Sequence, residues 1–296
     1  MNRIALLPSG SVSHEALLYL LNGEPAELVH HKLISDVFMS TVEGRTDYSV
    51  IPIENTIEGS VSLHMDWLVN EVEIPMQAEW VYPSKQNLIG SRAEFERADG
   101  SIDFQQITKI YSHPVATAQC RQFLSRNVPG AELEPVGSTS EGVHIVKQNP
   151  GKGWAAIGTS LGAETHGLDI LSPSITDHDN NYTRFVLVGS HSISIPRTSV
   201  YVKTSVLVTL PEDVPGALHQ VLSAFAWRRL NLSRIESRPT KKKLGNYYFY
   251  IDVMESAESV LLTAAIGEIE ALGCQVRVLG SYPGFAYNKQ QSPAAT

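Results

Sequence analysis

The chain predicts an α/β protein in two parts, a larger α/β domain followed by a small ferredoxin-like unit of order βαββαβ. Three observations carry this expectation. Short apolar runs alternate with amphipathic stretches up to residue 190, the pattern of strands interleaved with helices. A Ser-rich stretch, SHSISIPRTS, then interrupts the periodicity and reads as a linker. Beyond it the order is strand, helix, strand, strand, helix, strand. A length of 296 residues also exceeds what one ordinary core accommodates, so two domains are expected.

In the first part, strands are expected at 4–7, 48–51, 107–112, 154–157 and 185–188. Helices are expected at 14–21, 62–69, 115–124 and 141–147, where apolar residues recur at three and four positions. Ala116, Cys120, Phe123 and Leu124 form one such face. The linker spans 191–200. The second part reads as strand 205–210, helix 215–230, strands 231–238 and 247–254, helix 259–272 and strand 275–279. Asp213 suits a helix cap and Pro215 a first turn, with Leu218, Val221, Leu222 and Phe225 on one helix face. Lys241, Lys242 and Lys243, beside Gly245 and Asn246, read as a solvated hairpin tip. The polar tail, 284–296, is expected to be unstructured.

Composition narrows the function. A formal net charge of −8 argues against general nucleic-acid binding, which needs massed Lys and Arg. Two cysteines, Cys120 and Cys274, supply neither a disulfide framework nor a four-ligand zinc site and suit a reducing cytoplasm. The apolar start, 4–7, is too short for a signal-peptide core, and no run is long enough to span a bilayer. Metal-dependent hydrolysis lacks a ligand, because Leu18 stands where a second His would follow His14 and Glu15. Gly151, Lys152 and Gly153 lack the spacing of a phosphate loop and read as a turn.

Four loops place small polar residues between an expected strand and an expected helix: 9–14, 53–60, 112–114 and 137–141. Backbone N–H groups and hydroxyls at helix starts can hold carboxylates with little net positive charge, which suits an acidic chain. For any one loop, helix capping accounts for the Ser and Thr residues equally well. A fifth segment, 181–185, offers Arg184 as a fork for a carboxylate and Thr183 as a hydroxyl donor to a leaving oxygen. An ordinary surface strand with one arginine has the same appearance.

Taken in order, LPSGSVSHEA (7–16), IPIENTIEGSV (51–61), SHPVATAQC (112–120) and NYTRF (181–185) resemble the motifs of the prephenate dehydratases. GAL (216–218) and ESRP (236–239) resemble the corresponding elements of that family's ACT domain. The resemblance covers about residues 1–283, and several ordered motifs are far more specific than one. Leu7 replaces the usual Gly, Ser11 and Val12 replace Thr-Phe, and Val115 stands where Gln is frequent.

The resemblance implies a two-lobed catalytic domain like a type II periplasmic binding protein at 1–190, with one lobe from about 1–80 plus 165–190 and the other from 81–164. It implies an ACT regulatory domain at 201–283. The implied activity is conversion of prephenate to phenylpyruvate with loss of CO₂ and water, without metal or cofactor, in phenylalanine biosynthesis. By the same carry-over Thr183 is the donor to the departing oxygen, as direct acid or as relay and charge stabiliser. Asn55, Ser112 and Gln119 join it, with Glu54, Thr56, Asn181, Ser13, Ser138 and Thr139 nearby and Arg184 as carboxylate clamp. His113 is either a titrating group or a turn residue. Phenylalanine is the implied effector, held between subunits by Gly216, Ala217, Leu218, Asn231, Glu236, Ser237, Arg238 and Pro239 in a homodimer or homotetramer. A fused chorismate mutase is not expected. The competing readings are arogenate dehydratase, on the amino-acid form of the substrate, and a noncatalytic amino-acid-binding regulator.

Overall fold

The computed structural model describes residues 1–211, 214–239 and 247–288, which form two compact units. The first takes Met1–His64, Val81–Phe185 and the chain from Tyr287; the second takes Met65–Trp80 and Val186–Ala286. The chain starts with β1 (Asn2–Leu6), α1 (Val12–Leu21), β2 (Ala26–His30), α2 (Ile34–Val42), β3 (Tyr48–Asn55), β4 (Gly59–Ser60) and α3 (Ser62–Asp66). A π-helical turn, Trp67–Glu71, leads to β5 (Met76–Pro83). There follow β6 (Asn87–Gly90), α4 (Arg92–Phe95), β7 (Lys109–Ser112), α5 (Pro114–Gln119), α6 (Arg121–Asn127) and β8 (Glu132–Pro135). Next come α7 (Thr139–Gln148), β9 (Trp154–Gly158), α8 (Ser160–His166), β10 (Asp169–Ser172) and β11 (Tyr182–Gly189). The remainder is β12 (Tyr201–Thr209), α9 (Ala217–Ala226), β13 (Leu232–Pro239), β14 (Tyr247–Val253), α10 (Val260–Ala271) and β15 (Gln275–Phe285).

Two sheets organise the first unit, giving the two-lobed α/β architecture. In one, β1 runs parallel to both β2 and β3, and β11 lies beyond β3. Ile4, Ala5, Leu6, Val50, Ile51 and Ile53 are fully buried, as expected of parallel strands covered on both faces. The other sheet has the order β10-β6-β9-β7-β8, with β7 parallel to β8 and β9. Its core is built from Leu88, Phe95, Ile110, Ala155 and Ile157. Ala116, Cys120 and Leu124 join that core with Phe123 packed against it, so the helical face read from the sequence is real. The single helix expected at 115–124 is two, because the backbone at Cys120 leaves helical geometry (φ −114°, ψ 14°). β10 pairs antiparallel with β6, so the return expected near residue 165 comes after Ser172.

In the second unit, β13, β14, β12 and β15 form an antiparallel sheet in that order, with β5 parallel to β15 at the end. Val206, Val208, Phe225, Ile251, Leu262 and Ile269 form the core under α9 and α10. This is the ferredoxin-like βαββαβ arrangement. Helix α9 starts at Ala217 and not at Pro215, because Gly216 takes a left-handed φ of 86°. Strand β15 outruns the expected 275–279, since its later residues continue the ladder with β12 as far as Tyr201 opposite Gly284. The expected Asp213 cap, the lysine hairpin tip and residues 289–296 of the tail lie outside the described residues. Cys120 and Cys274 are buried free thiols. Among the described residues no helix is long and apolar enough to cross a membrane.

The loop after β1 is held against the second lobe. Thr159 Oγ1 donates to the Gly10 carbonyl at 2.7 Å, Ser140 Oγ donates to the Ser9 carbonyl, and Glu15 Oε1 accepts the Leu161 N–H at 2.9 Å. Gly10 has a φ of 74°, and a Cβ there would lie 2.8 Å from the Gly162 Cα. Within the same loop, His14 Nδ1 accepts the Gly10 N–H at 3.1 Å. Burial, and secondarily the neighbouring His30, lower the His14 pKa to about 4. At the other end of the chain, Tyr287 packs its ring among those of Tyr19, Tyr82 and Tyr182, and Asn288 N–H donates to Tyr19 Oη at 2.9 Å. Residues 284 and 285 are strand, so the tail expected from 284 is structured to Asn288.

Two outcomes follow for stability. Gly10→Ala should cost about 2–4 kcal/mol, since left-handed strain of about 1–2 kcal/mol adds to a backbone collision. Gly23→Ala, at a φ of 90° with open space around it, should cost only the strain, about 1–2 kcal/mol; urea denaturation of both variants measures the difference. A histidine whose folded pKa is depressed charges in the unfolded chain first as pH falls. Stability should therefore decline as pH drops from 6.5 to about 4, and His14→Gln should flatten that limb. An unchanged slope in the variant would assign the limb to other groups.

Candidate active site

Strand β3 carries its apolar residues into the sheet and ends on Asn55, a buried amide. The Asn55 side chain first closes its own turn, with Oδ1 accepting the N–H groups of Ile57 at 2.9 Å and Glu58 at 3.1 Å. Asn favours such turns because its short side chain mimics a backbone carbonyl. With Oδ1 committed, the orientation of the amide is determined and Nδ2 points toward the start of β11. There it lies 2.8 Å from Asn181 Oδ1, 3.0 Å from Thr183 Oγ1 and 3.2 Å from the Tyr182 carbonyl. Two hydrogens serve three acceptors, so one of them is shared.

The cluster extends from both ends of that amide. Asn181 Nδ2 donates to Gln119 Oε1 at 2.8 Å, bringing in the last residue of α5 from the second lobe. Thr183 Oγ1 lies 2.6 Å from Ser84 Oγ, and Ser84 N–H donates to the Asn181 carbonyl at 2.9 Å. Thr56 Oγ1 donates to the Asn180 carbonyl at 2.6 Å and accepts the Tyr182 N–H at 2.9 Å. Asn55, Ser84, Gln119, Asn181 and Thr183 are each less than a tenth exposed. Buried polar groups survive only when hydrogen-bonded, and here they satisfy one another.

Other residues singled out from the sequence lie elsewhere. Side chains alternate along a strand, so Arg184 faces away from Thr183, and its Nη1 pairs with Glu54 Oε2 at 3.2 Å. Glu54 stands in the same relation to Asn55. Arg184 is thus engaged by Glu54 on the face of β11 opposite the Thr183 hydroxyl. Ser112 donates to the Ile157 carbonyl at 3.0 Å within the β7–β9 seam and is 1% exposed. Ser138 caps α7 by accepting the Glu141 N–H at 3.1 Å, and Thr139 is the first residue of that helix. Ser13 is buried in α1. His113 caps α5, its Nδ1 accepting the Val115 N–H at 3.3 Å, which is the turn role.

Ser84 and Thr159 do not stand out in the sequence, Ser140 does so only as part of the loop 137–141 and Glu15 only beside His14, although each joins one lobe to the other or touches Thr183. Burial raises the Glu15 carboxyl above its usual value, opposed by the hydrogen bond from Leu161. Only the strand end at Pro83 hinted at Ser84, and a lone serine there resembles any turn residue.

In the second unit, β13 also alternates. Ser237 lies opposite Phe249 and Ile235 opposite Ile251, on the helix-covered face, whereas Glu236 and Arg238 lie opposite Tyr250 and Tyr248. Arg238 donates through Nε at 3.0 Å and Nη2 at 2.6 Å to Asp66 Oδ1, and Glu236 accepts from Arg234 at 2.5 Å. Gly216, Ala217 and Leu218 begin α9 on the helix side, and Asn231 accepts the Met254 N–H through its carbonyl. The residues of the ESRP motif therefore divide between two faces of the sheet.

Comparisons with known proteins place the two units. A family model described as Prephenate dehydratase matches residues 4–193, and one described as ACT domain matches residues 204–271. The Prephenate dehydratase of Bacillus subtilis is 39% identical over 284 residues, covering 94% of this chain and 97% of that protein. A solved prephenate dehydratase from Arthrobacter aurescens, in complex with L-Phe, superposes with a TM-score of 0.82 at 31% identity, covering 99% of this chain and 92% of that one. The Staphylococcus aureus prephenate dehydratase superposes with a TM-score of 0.77 at 26% identity, over 95% and 100% of the two chains. By sequence over nearly its whole length and by fold, the chain belongs to the prephenate dehydratase family of hydro-lyases and carries that family's catalytic domain followed by an ACT domain.

Proposed function

We propose that the chain converts prephenate to phenylpyruvate, with Thr183 as the hydroxyl that serves the departing oxygen, and that phenylalanine regulates it through the ACT domain. The observation that carries the catalytic reading is the buried cluster around Thr183, where motif residues from β3, α5 and β11 meet. In this elimination the bond from the ring to its carboxylate breaks and its electron pair enters the ring. The C–O bond then breaks with its own pair, and the departing hydroxide takes one proton to leave as water. CO₂, water and an aromatic product result, so aromatisation supplies the drive and no cofactor is required.

What the protein must supply is a donor where negative charge develops, which is worth most in a water-poor site. Thr183, 9% exposed and held by Asn55, suits that task. Asn55, Gln119 and Asn181 set its position. The loops 9–14 and 137–141, with Ser13, Ser138 and Thr139 among their residues, are assigned to the substrate carboxylates; Ser140 on Ser9 and Thr159, from the start of α8, on Gly10 tie the first loop to the second lobe. Glu54 and Arg184 support the strand ends as an ion pair. Ser112 is assigned a structural part in the second lobe.

For regulation, the Arthrobacter relative solved with L-Phe and the ACT domain match support phenylalanine as effector. Gly216, Ala217, Leu218 and Ser237 share the helix side of the sheet and are assigned to the ligand, with Asn231 and Pro239 at the margin. Strand β13 ends its sheet among the described residues, and such an edge, which favours pairing with a second copy, supports a homodimer or homotetramer. Two unpaired thiols and a biosynthetic role suit the cytoplasm.

Thr183→Ala should lower kcat about 10²-fold or more with little change in KM, because the lost hydrogen bond matters chiefly in the transition state. Phenylpyruvate absorbance measures this, with prephenate and arogenate compared side by side; faster turnover of arogenate would reassign the substrate. Phenylalanine should bind the full chain saturably in equilibrium dialysis and change substrate affinity about 5- to 150-fold, the usual allosteric range. Absence of saturable binding would remove the sensor role.

A further inference from the structure

Thr183 Oγ1 has one proton to give and two positions at which to accept. Asn55 Nδ2, 3.0 Å away, can only donate, so it fills the first accepting position. Its orientation is not ambiguous, because Oδ1 of the same amide is held by two backbone N–H groups. The second close neighbour is Ser84 Oγ at 2.6 Å. Ser84 is 5% exposed and its backbone N–H is anchored on the Asn181 carbonyl at 2.9 Å. The distance alone lets either hydroxyl donate across this contact.

We infer that Ser84 is a positioning residue for the elimination: it donates its hydroxyl proton to Thr183 Oγ1, so that Thr183, accepting from both Asn55 and Ser84, presents its own proton to the departing oxygen. The inference rests on the reading of Thr183 as donor and deepens it. Two donors converging on one oxygen fill its accepting positions and leave a single direction for its O–H. They also stabilise the negative charge that the oxygen gains as it gives its hydrogen bond, which makes a weakly acidic hydroxyl a better donor. The geometry answers a difficulty with threonine as an acid, since an isolated hydroxyl rotates freely and holds its proton tightly. Nothing else is consumed, as the one proton that completes water is replaced from solvent.

The test is a double-mutant cycle on the full chain with prephenate as substrate, using Ser84→Ala, Thr183→Ala and the double variant, with Ser84→Cys as a variant that keeps side-chain volume. Ser84→Ala and Ser84→Cys should each lower kcat about tenfold, the worth of one hydrogen bond, with KM within about twofold of native. In the Thr183→Ala background, Ser84→Ala should cost nothing further, because its effect passes through the threonine hydroxyl. Near-native kcat for Ser84→Ala beside an impaired Thr183→Ala would overturn the inference and leave the threonine in place. An independent tenfold loss in the double variant would assign Ser84 a packing role and also overturn it. A Ser84→Ala loss as deep as that of Thr183→Ala would make the serine the terminal donor, reversing the order argued here. Near-native turnover of Thr183→Ala would remove the reading on which the inference stands.

Discussion

The carboxamide of Asn55 is the contact on which the site depends. Its oxygen closes the turn that ends β3, and its nitrogen reaches the first residues of β11. One side chain therefore couples a local backbone conformation to a pairing between segments more than a hundred residues apart in sequence. An aspartate would keep the turn but lose the donor, and a leucine would lose both while leaving buried polar neighbours unpaired. Unsatisfied buried groups cost more than the bonds themselves contribute, so the cluster is held by the penalty for breaking it.

The same logic repeats in the second unit with charge. Lys203 pairs with Glu79, both almost wholly buried, and Tyr201 donates to the same carboxylate at 2.6 Å. Ser205, Tyr250, Asp252 and Tyr282 form a buried polar network beside it. Isolated, any of these groups would be expensive to bury. Together they define one register for β12 against β14 and β15, where apolar residues alone would tolerate sliding.

Much of this was legible before the structure. Alternating apolar runs located the first unit, and the βαββαβ order of the second was read nearly element for element, because both are set by local periodicity. Asn55, Gln119, Asn181 and Thr183 follow from the resemblance of their motifs to the family's, and in the structure they meet. Arg184 alternates with Thr183 along β11 and pairs with Glu54, so the two neighbouring side chains face opposite ways. Arg238 pairs with Glu236 beside it and with Asp66, the latter so far away in the chain that no local pattern announces it. Ser84 went unnoticed because one serine after a strand carries no pattern, and only the distance to Thr183 distinguishes it.

The position of Tyr287 bears on how the catalytic half can be separated from the rest. Its ring completes an aromatic nest with Tyr19, Tyr82 and Tyr182, the last being the immediate neighbour of Thr183. A fragment cut just past Gly189 would carry every motif of the elimination chemistry yet leave that nest open on one side. The second unit's long segment is spliced in ahead of the first unit's own final residues, so a cut at the Ser-rich stretch removes a ring from the first unit along with the ACT domain.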